Sequence, residues 1–190
     1  MYKLRLYQIE AAKEIYDKKK VLIADDMGLG KCAETISAKT LIENRLGYDI
    51  PTLVVCPPSV ALHWEGEFPK WYKKKEDTKV VKIQTKTFNE DLDRVSKENP
   101  DFTIIGYPTL SYFGINEPEK IERLNKVGYS YGILDEGHNA KNPASIRSRV
   151  VRKLFHPMNY LAISTGTPIP NTLIDIYSQL NLLDEKQFPI

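Results

Sequence analysis

Short continuous apolar runs alternate along this chain with stretches in which apolar residues recur every three or four positions. Leu6, Ile9, Ala12, Ile15 and Tyr16 repeat at helical spacing, and Val21-Leu22-Ile23-Ala24 follows as an unbroken apolar run. Residues 31 to about 46 read as a helix stopped by Gly47, and Thr52 to Cys56 as a buried strand ended by Pro57-Pro58. Ser59 stands where it can cap a helix running to Trp71. The alternation continues with a strand near 79–84, a helix near 89–97, a strand at 102–106 and a helix near 117–127. Apolar runs at 131–135 and 160–164 and a helix from about Thr172 to Leu183 complete it. Strands apolar throughout and separated by helices predict a mainly parallel sheet covered on both faces, an α/β fold. In such a sheet ligands bind beyond the carboxyl ends of the strands.

The first such end carries the sequence ADDMGLGKC, from Ala24 to Cys32, between the first strand and the helix after it. A loop of small residues lets successive backbone N–H groups curl around phosphates, a lysine reaches the terminal phosphates, and a helix N-terminus points partial positive charge at them. Met27, Gly28, Leu29, Gly30 and Lys31 supply that loop, so the chain is expected to bind a nucleotide. The phosphate-loop pattern ends in Ser or Thr, whose hydroxyl ligates Mg²⁺; here the residue is Cys32. A thiol is a soft ligand and Mg²⁺ a hard cation, so Cys32 matches the metal poorly.

The run Ile133-Leu134-Asp135-Glu136-Gly137-His138 ends an apolar strand in two adjacent carboxylates. Standing alone, such a pair is a solvated turn and His138 a structural histidine. Downstream of a phosphate loop, Asp135 becomes the candidate for holding Mg²⁺ through water, Glu136 for polarising the attacking water, and His138 for coupling.

With those residues in place the whole chain resembles the first RecA-like lobe of the Swi/Snf-type ATPases, superfamily-two helicase relatives that translocate on double-stranded DNA. Residues 4–8, LRLYQ, resemble the glutamine motif in which that family reads adenine, which carries to Gln8. IADDMGLGK resembles motif I, LVVCPPSVALHW motif Ia, IIGYPTL motif Ib, ILDEGHNAKN motif II and STGTPIPN motif III, in order. ADDMGLGK and the ending LLDEKQFP look nearest the annealing-helicase subgroup and its bacterial or viral relatives. The resemblance implies a three-layer RecA-like phosphate-loop domain over residues 1–190, with ATP and Mg²⁺ as cofactors. It also implies double-stranded DNA and a second RecA-like lobe, in cis or on another chain, as partners. That second lobe, absent from these residues, would bring arginines to the transferred phosphoryl group.

On the same resemblance, Ser59 and the pair Tyr107 and Thr109 offer helix-start N–H groups to DNA phosphates, although each position also suits a helix cap. Lys141 and Asn142, with Asn139, follow motif II as phosphate or lobe contacts. Thr165, Gly166 and Thr167 end a strand where they can hydrogen-bond to the motif II carboxylates and couple nucleotide to DNA. Trp64 and Trp71, seven apart on one helical face, are expected to pack rather than to stack on bases.

Composition bounds this picture without changing it. The 190 residues, 42% hydrophobic and 27% charged, suit one globular domain with one sizeable core. No apolar run approaches the roughly 20 residues of a membrane span, and Met1-Tyr2-Lys3-Leu4-Arg5 lacks a signal-peptide core. An intracellular, soluble protein is expected, cytoplasmic or nuclear (cytoplasmic if bacterial or viral), with its two cysteines reduced. A net charge of +2 announces no nucleic-acid partner by itself, and the clusters at Lys18–Lys20 and Lys70–Lys75 fit helix C-termini as well as DNA. The expected function is ATP hydrolysis driving movement along DNA, with a non-catalytic nucleotide- or DNA-binding module as the rival. A small-molecule kinase on the same loop leaves motifs Ia, Ib and III unexplained.

Overall fold

The structure is a computed structural model that describes residues 3–167 and 174–190. The chain runs through α1 (Leu6–Lys18), β1 (Lys20–Ile23), α2 (Lys31–Leu46), β2 (Thr52–Cys56), α3 (Ala61–Trp71), β3 (Val80–Ile83) and α4 (Phe88–Glu98). It continues through β4 (Phe102–Gly106), α5 (Tyr107–Asn116), α6 (Pro118–Asn125), β5 (Tyr131–Asp135), α7 (Ile146–Phe155), β6 (Tyr160–Ser164) and α8 (Ile174–Leu183). The strands form one six-stranded sheet in the order β1-β6-β5-β2-β4-β3, every neighbouring pair parallel.

Two cores explain why the strands are apolar without alternation. Along β2, Leu53 and Val55 face α4 to α7, while Val54 and Cys56 face α1 to α3. Successive side chains point to opposite faces of a strand, so a sheet covered on both sides needs apolar residues at every position. Fully burying each such side chain stabilises the fold by about 1.5–3 kcal/mol.

Helix α7 was not anticipated from the sequence, and of α5 only the start near Tyr107 and Thr109 was. The α5 run YPTLSYFGIN has no clear polar face, and Gly114 within it lies where a Cβ would stand 2.5 Å from Val150 Cγ2 of α7. The glycine lets the two helices approach, so a feature that looks like a helix breaker is a packing device. Ser59 does not cap α3. It lies in a 3-10 turn at Pro58–Val60, and the N-cap is Val60 with no side-chain cap bond. The start of the last helix near Thr172 lies outside the described residues, as does the end of the motif III run, Pro168 to Asn171.

At the amino ends of the strands an ion pair is fully buried. Lys39 Nζ lies 2.6 Å from Glu43 Oε1, donates to the Ile50 carbonyl at 2.5 Å, and sits 5.3 Å from the ring centres of Tyr72 and Phe102. Lys73 and Lys74 pair with Asp49, Glu43 and Asp101, and Lys70 with Glu67. Much of the second basic cluster is therefore spent on carboxylates of this chain. Among the described residues no helix is long and apolar enough to cross a membrane.

Candidate active site

The loop from β1 to α2 takes its shape from two glycines. Gly28 and Gly30 have φ of +85° and +89°, a left-handed backbone that side chains disfavour, and Gly30 is the N-cap of α2. A Cβ on Gly30 would also stand 2.5 Å from Gln8 Nε2. Gln8 is buried, its Nε2 donating to the Leu29 carbonyl at 2.9 Å and its Oε1 accepting from the Arg5 N–H at 2.9 Å. The Tyr7 hydroxyl donates to the same Leu29 carbonyl at 2.9 Å. Helix α1 thus grips the loop at Leu29. Lys31 Nζ donates to the carbonyls of Asp25 and Asp26 at 2.8 and 3.1 Å.

Cys32 follows on the first turn of α2. Burial, and then the charges of Asp135 and Glu67, push its thiol well above the usual range, so it stays protonated. Burial and then Asp25 raise the carboxyl of Glu34 to about 7, and both Glu34 oxygens are buried.

At the end of β5, Asp135 is held at both oxygens. Its Oδ1 accepts from the Ser164 hydroxyl at 2.9 Å and from the Glu136 N–H at 3.0 Å, and its Oδ2 accepts from the Trp64 indole N–H at 2.8 Å. Glu136 has a φ of +50°, a left-handed conformation for a residue with a long side chain. Such strain costs on the order of 1–3 kcal/mol. The Asn139 N–H and side-chain amide, both donating to the Glu136 carbonyl at 2.9 Å, help hold the turn. His138 Nδ1 lies 3.2 Å from Thr165 Oγ1, 3.4 Å from Thr167 Oγ1 and 3.2 Å from Glu136 Oε2. Beyond β6, the Thr165 N–H donates to the Ile23 carbonyl at 3.1 Å, and a Cβ on Gly166 would stand 2.8 Å from Met27 Cγ. The ends of β1, β5 and β6 are thereby one connected cluster.

A family described as the SNF2-related domain matches residues 7–189. The chain belongs to this family. The SNF2-related domain is 31% identical over 173 residues to the TATA-binding protein-associated factor MOT1 of Saccharomyces cerevisiae, covering 85% of this chain and 9% of that protein. It is 31% identical over 188 residues to the ISWI chromatin-remodeling complex ATPase ISW2 of the same yeast, covering 95% of this chain and 16% of that protein. Its fold superposes on the Sulfolobus solfataricus SWI2/SNF2 ATPase core in complex with dsDNA with a TM-score of 0.77 and 29% identity, over 96% of this chain and 36% of that one. The chain therefore spans well under half the length of these relatives, and its three-layer sheet is the RecA-like fold.

Within this SNF2-related domain the strand-end residues differ in detail from the sequence reading. Thr165 and Thr167 meet His138, and the hydroxyl that bonds the Asp135 carboxylate belongs to Ser164. Tyr107 is 1% exposed and its hydroxyl donates to the Asp135 carbonyl at 2.7 Å, so this side chain faces inward. Arg147, unremarked in the sequence, sits 5.6 Å over the Tyr107 ring and donates to the Asn139 carbonyl at 3.3 Å.

Ser59 is exposed on its turn after β2, and Thr109 lies in the first turn of α5 after β4. Cys56 and Gly106 are register partners, so these positions are neighbours on one edge. A groove of about 470 Å³ beside them is lined by Pro58, Lys82, Gln84, Lys86, Gly106 and Thr109. Lys141 and Asn142 line a second groove of about 530 Å³ with Ser111, His138 and Arg147. The Asn142 Oδ1 accepts from the Ala144 N–H at 3.0 Å, shaping that loop. Both tryptophans pack as expected, and Trp64 adds the bond to Asp135 that the sequence did not announce.

Proposed function

We propose that this chain is the ATP-binding lobe of a Swi/Snf-type DNA translocase, coupling ATP hydrolysis to movement along double-stranded DNA when joined to a second RecA-like lobe. The observation that carries this reading is the connected cluster at the carboxyl ends of β1, β5 and β6, set beside the Ser59 and Thr109 edge. The archaeal relative with dsDNA supports the choice of partner.

In this reading the loop N–H groups of Met27 to Lys31 cradle the phosphates, and Lys31 Nζ turns from the Asp25 and Asp26 carbonyls toward their terminal oxygens. Gln8 spends one amide hydrogen on Leu29 and presents the other toward adenine. Asp135, with its carboxylate oriented by three donors, fits a Mg²⁺ ion held through water, whereas the protonated Cys32 thiol does not. Mg²⁺ would neutralise phosphate charge as the terminal phosphoryl group leaves. Glu136 accepts a proton from the attacking water, and His138 passes the change at Glu136 to Thr165 and Thr167. Ser59, Thr109, Lys141 and Asn142 lie on the proposed DNA side. Arginines from the second lobe are worth about 10³–10⁵ in rate, so this lobe by itself binds nucleotide better than it turns it over.

The test combines calorimetry, turnover and DNA binding. Lys31→Ala should weaken ATP binding at least tenfold, while turnover of the isolated chain stays below about 1 s⁻¹ with or without duplex DNA. Fluorescence anisotropy should show duplex binding that falls steeply with salt and ignores sequence. Equal affinity of wild type and Lys31→Ala removes the nucleotide reading. Nucleotide binding indifferent to Mg²⁺, with no gain in turnover on adding a second lobe, favours the non-catalytic module that the Cys32 thiol suggests.

A further inference from the structure

We propose that Trp64 is a positioning residue for Asp135, its indole N–H fixing the carboxylate in the orientation that serves the cation; this rests on the translocase reading above. The two residues are 71 positions apart, yet Trp64 Nε1 donates to Asp135 Oδ2 at 2.8 Å.

Three donors from three parts of the fold hold this carboxylate. Trp64 comes from α3, Ser164 from the end of β6, and the Glu136 N–H from the turn after β5. Ser164 and Glu136 both address Oδ1, so Trp64 alone among these three addresses Oδ2. Rotation of the carboxylate about its own axis is checked only when both oxygens are engaged. An indole N–H is a donor and never an acceptor, so the bond has one polarity. It is also neutral. A lysine or arginine in this place would hold the carboxylate equally well but would oppose a divalent cation beside it, whereas the indole orients the charge and leaves it available.

The direction of the N–H is set by the core. Trp64 is 1% exposed; its ring centre lies 5.8 Å from that of Phe68, which stacks on Phe102 at 4.0 Å. A rigid ring wedged between α3 and the sheet loses little entropy in making the bond, unlike a long flexible arm. Packing between α3 and the sheet is thus converted into the aim of a polar group at the nucleotide side. Buried indoles do need an acceptor for their own sake, and the alternative is that Asp135 only satisfies Trp64. The two roles separate by experiment.

Trp64 is replaced by Phe and, to keep ring size while deleting the N–H, by β-(3-benzothienyl)alanine. For each protein the melting temperature is measured, and ATP affinity is titrated in EDTA and across a Mg²⁺ series, with Lys31→Ala as the control for nucleotide binding. The positioning role gives an EDTA affinity within about twofold of wild type and a Mg²⁺ requirement raised about tenfold in the benzothienyl protein, as for other groups that orient a metal-binding carboxylate. The benzothienyl protein matching wild type through the Mg²⁺ series, whatever its melting temperature, overturns the proposal. A uniform loss in EDTA and Mg²⁺ alike also overturns it, since that is a packing defect. If wild type itself shows no ATP binding that depends on Lys31, the translocase reading falls first and this one with it.

Discussion

Ser164 and Asp135 are register partners on the adjacent strands β6 and β5, and the Ser164 hydroxyl donates to Asp135 Oδ1 at 2.9 Å. The next residue on β6's exit, Thr165, turns the other way and reaches His138 Nδ1 at 3.2 Å. One strand end therefore contacts the carboxylate and the histidine of the β5 turn through consecutive side chains. A shift of β6 by one register position would break both contacts at once.

Ser164→Ala tests the first contact. A hydrogen bond to a charged group contributes about 1.5–3 kcal/mol, so Mg²⁺-dependent ATP affinity should fall about tenfold or more. Circular dichroism should be unchanged, because the small buried side chain is replaced by one of similar size. An unaltered Mg²⁺ titration means that the Trp64 and Glu136 donors suffice to hold Asp135.

Cys32→Thr tests the loop's one departure from the phosphate-loop pattern. The thiol is held protonated by burial and nearby carboxylates, and a hydroxyl in its place is a hard ligand. ATP affinity should tighten in Mg²⁺, change little in EDTA, and differ less between the two proteins in Mn²⁺. Identical behaviour in all three conditions assigns the cation to Asp135, phosphate and water alone.

Glu34 predicts a pH dependence of stability. Its carboxyl is raised from the ordinary 4.5 to about 7, first by burial and then by Asp25. Between those values the folded chain binds more protons than the unfolded one, so stability falls as pH rises through that window and stays lower above it. Glu34→Gln removes the buried charge. Its melting temperature, measured without added metal, should exceed wild type more at pH 8 than at pH 5; an equal difference at both contradicts the assignment.

Two glycines should respond oppositely to alanine. A Cβ on Gly132 in β5 would stand 2.5 Å from Phe155 Cδ1 and 2.7 Å from Met158 Sδ, whereas one on Gly66 in α3 meets nothing within 4 Å. Gly132→Ala should destabilise by about 1–3 kcal/mol through overpacking. Gly66→Ala should stabilise by about 0.5–1 kcal/mol through helix propensity. Urea midpoints of the two proteins against wild type decide it.

The order of elements was legible in the sequence because each strand is buried on both faces and must be apolar at every position. β2, β4, β5 and β6 begin and end where their apolar runs do, and α2 runs from Lys31 to the residue before Gly47. The phosphate loop was legible for a related reason: left-handed backbone at Gly28 and Gly30 restricts residue type locally, without help from the rest of the chain. Beyond its start, helix α5 was hidden because its apolar residues spread around the helix and its glycine answers to Val150, a neighbour 36 positions on.

What the tertiary structure alone decided is which group meets which. Thr165 was expected at the carboxylates, but strand pairing puts Ser164 there, since adjacent residues at a strand end point to opposite sides. The sequence reading used only the backbone N–H at Tyr107, and it is the packing of α5 against the sheet that sends the ring inward to the Asp135 carbonyl. Trp64 carries no sequence signal for its bond to Asp135. Local residue patterns determine elements because backbone conformation and burial act over a few positions; partners 29 or 71 residues apart are chosen by strand order and helix packing, which act over the whole chain.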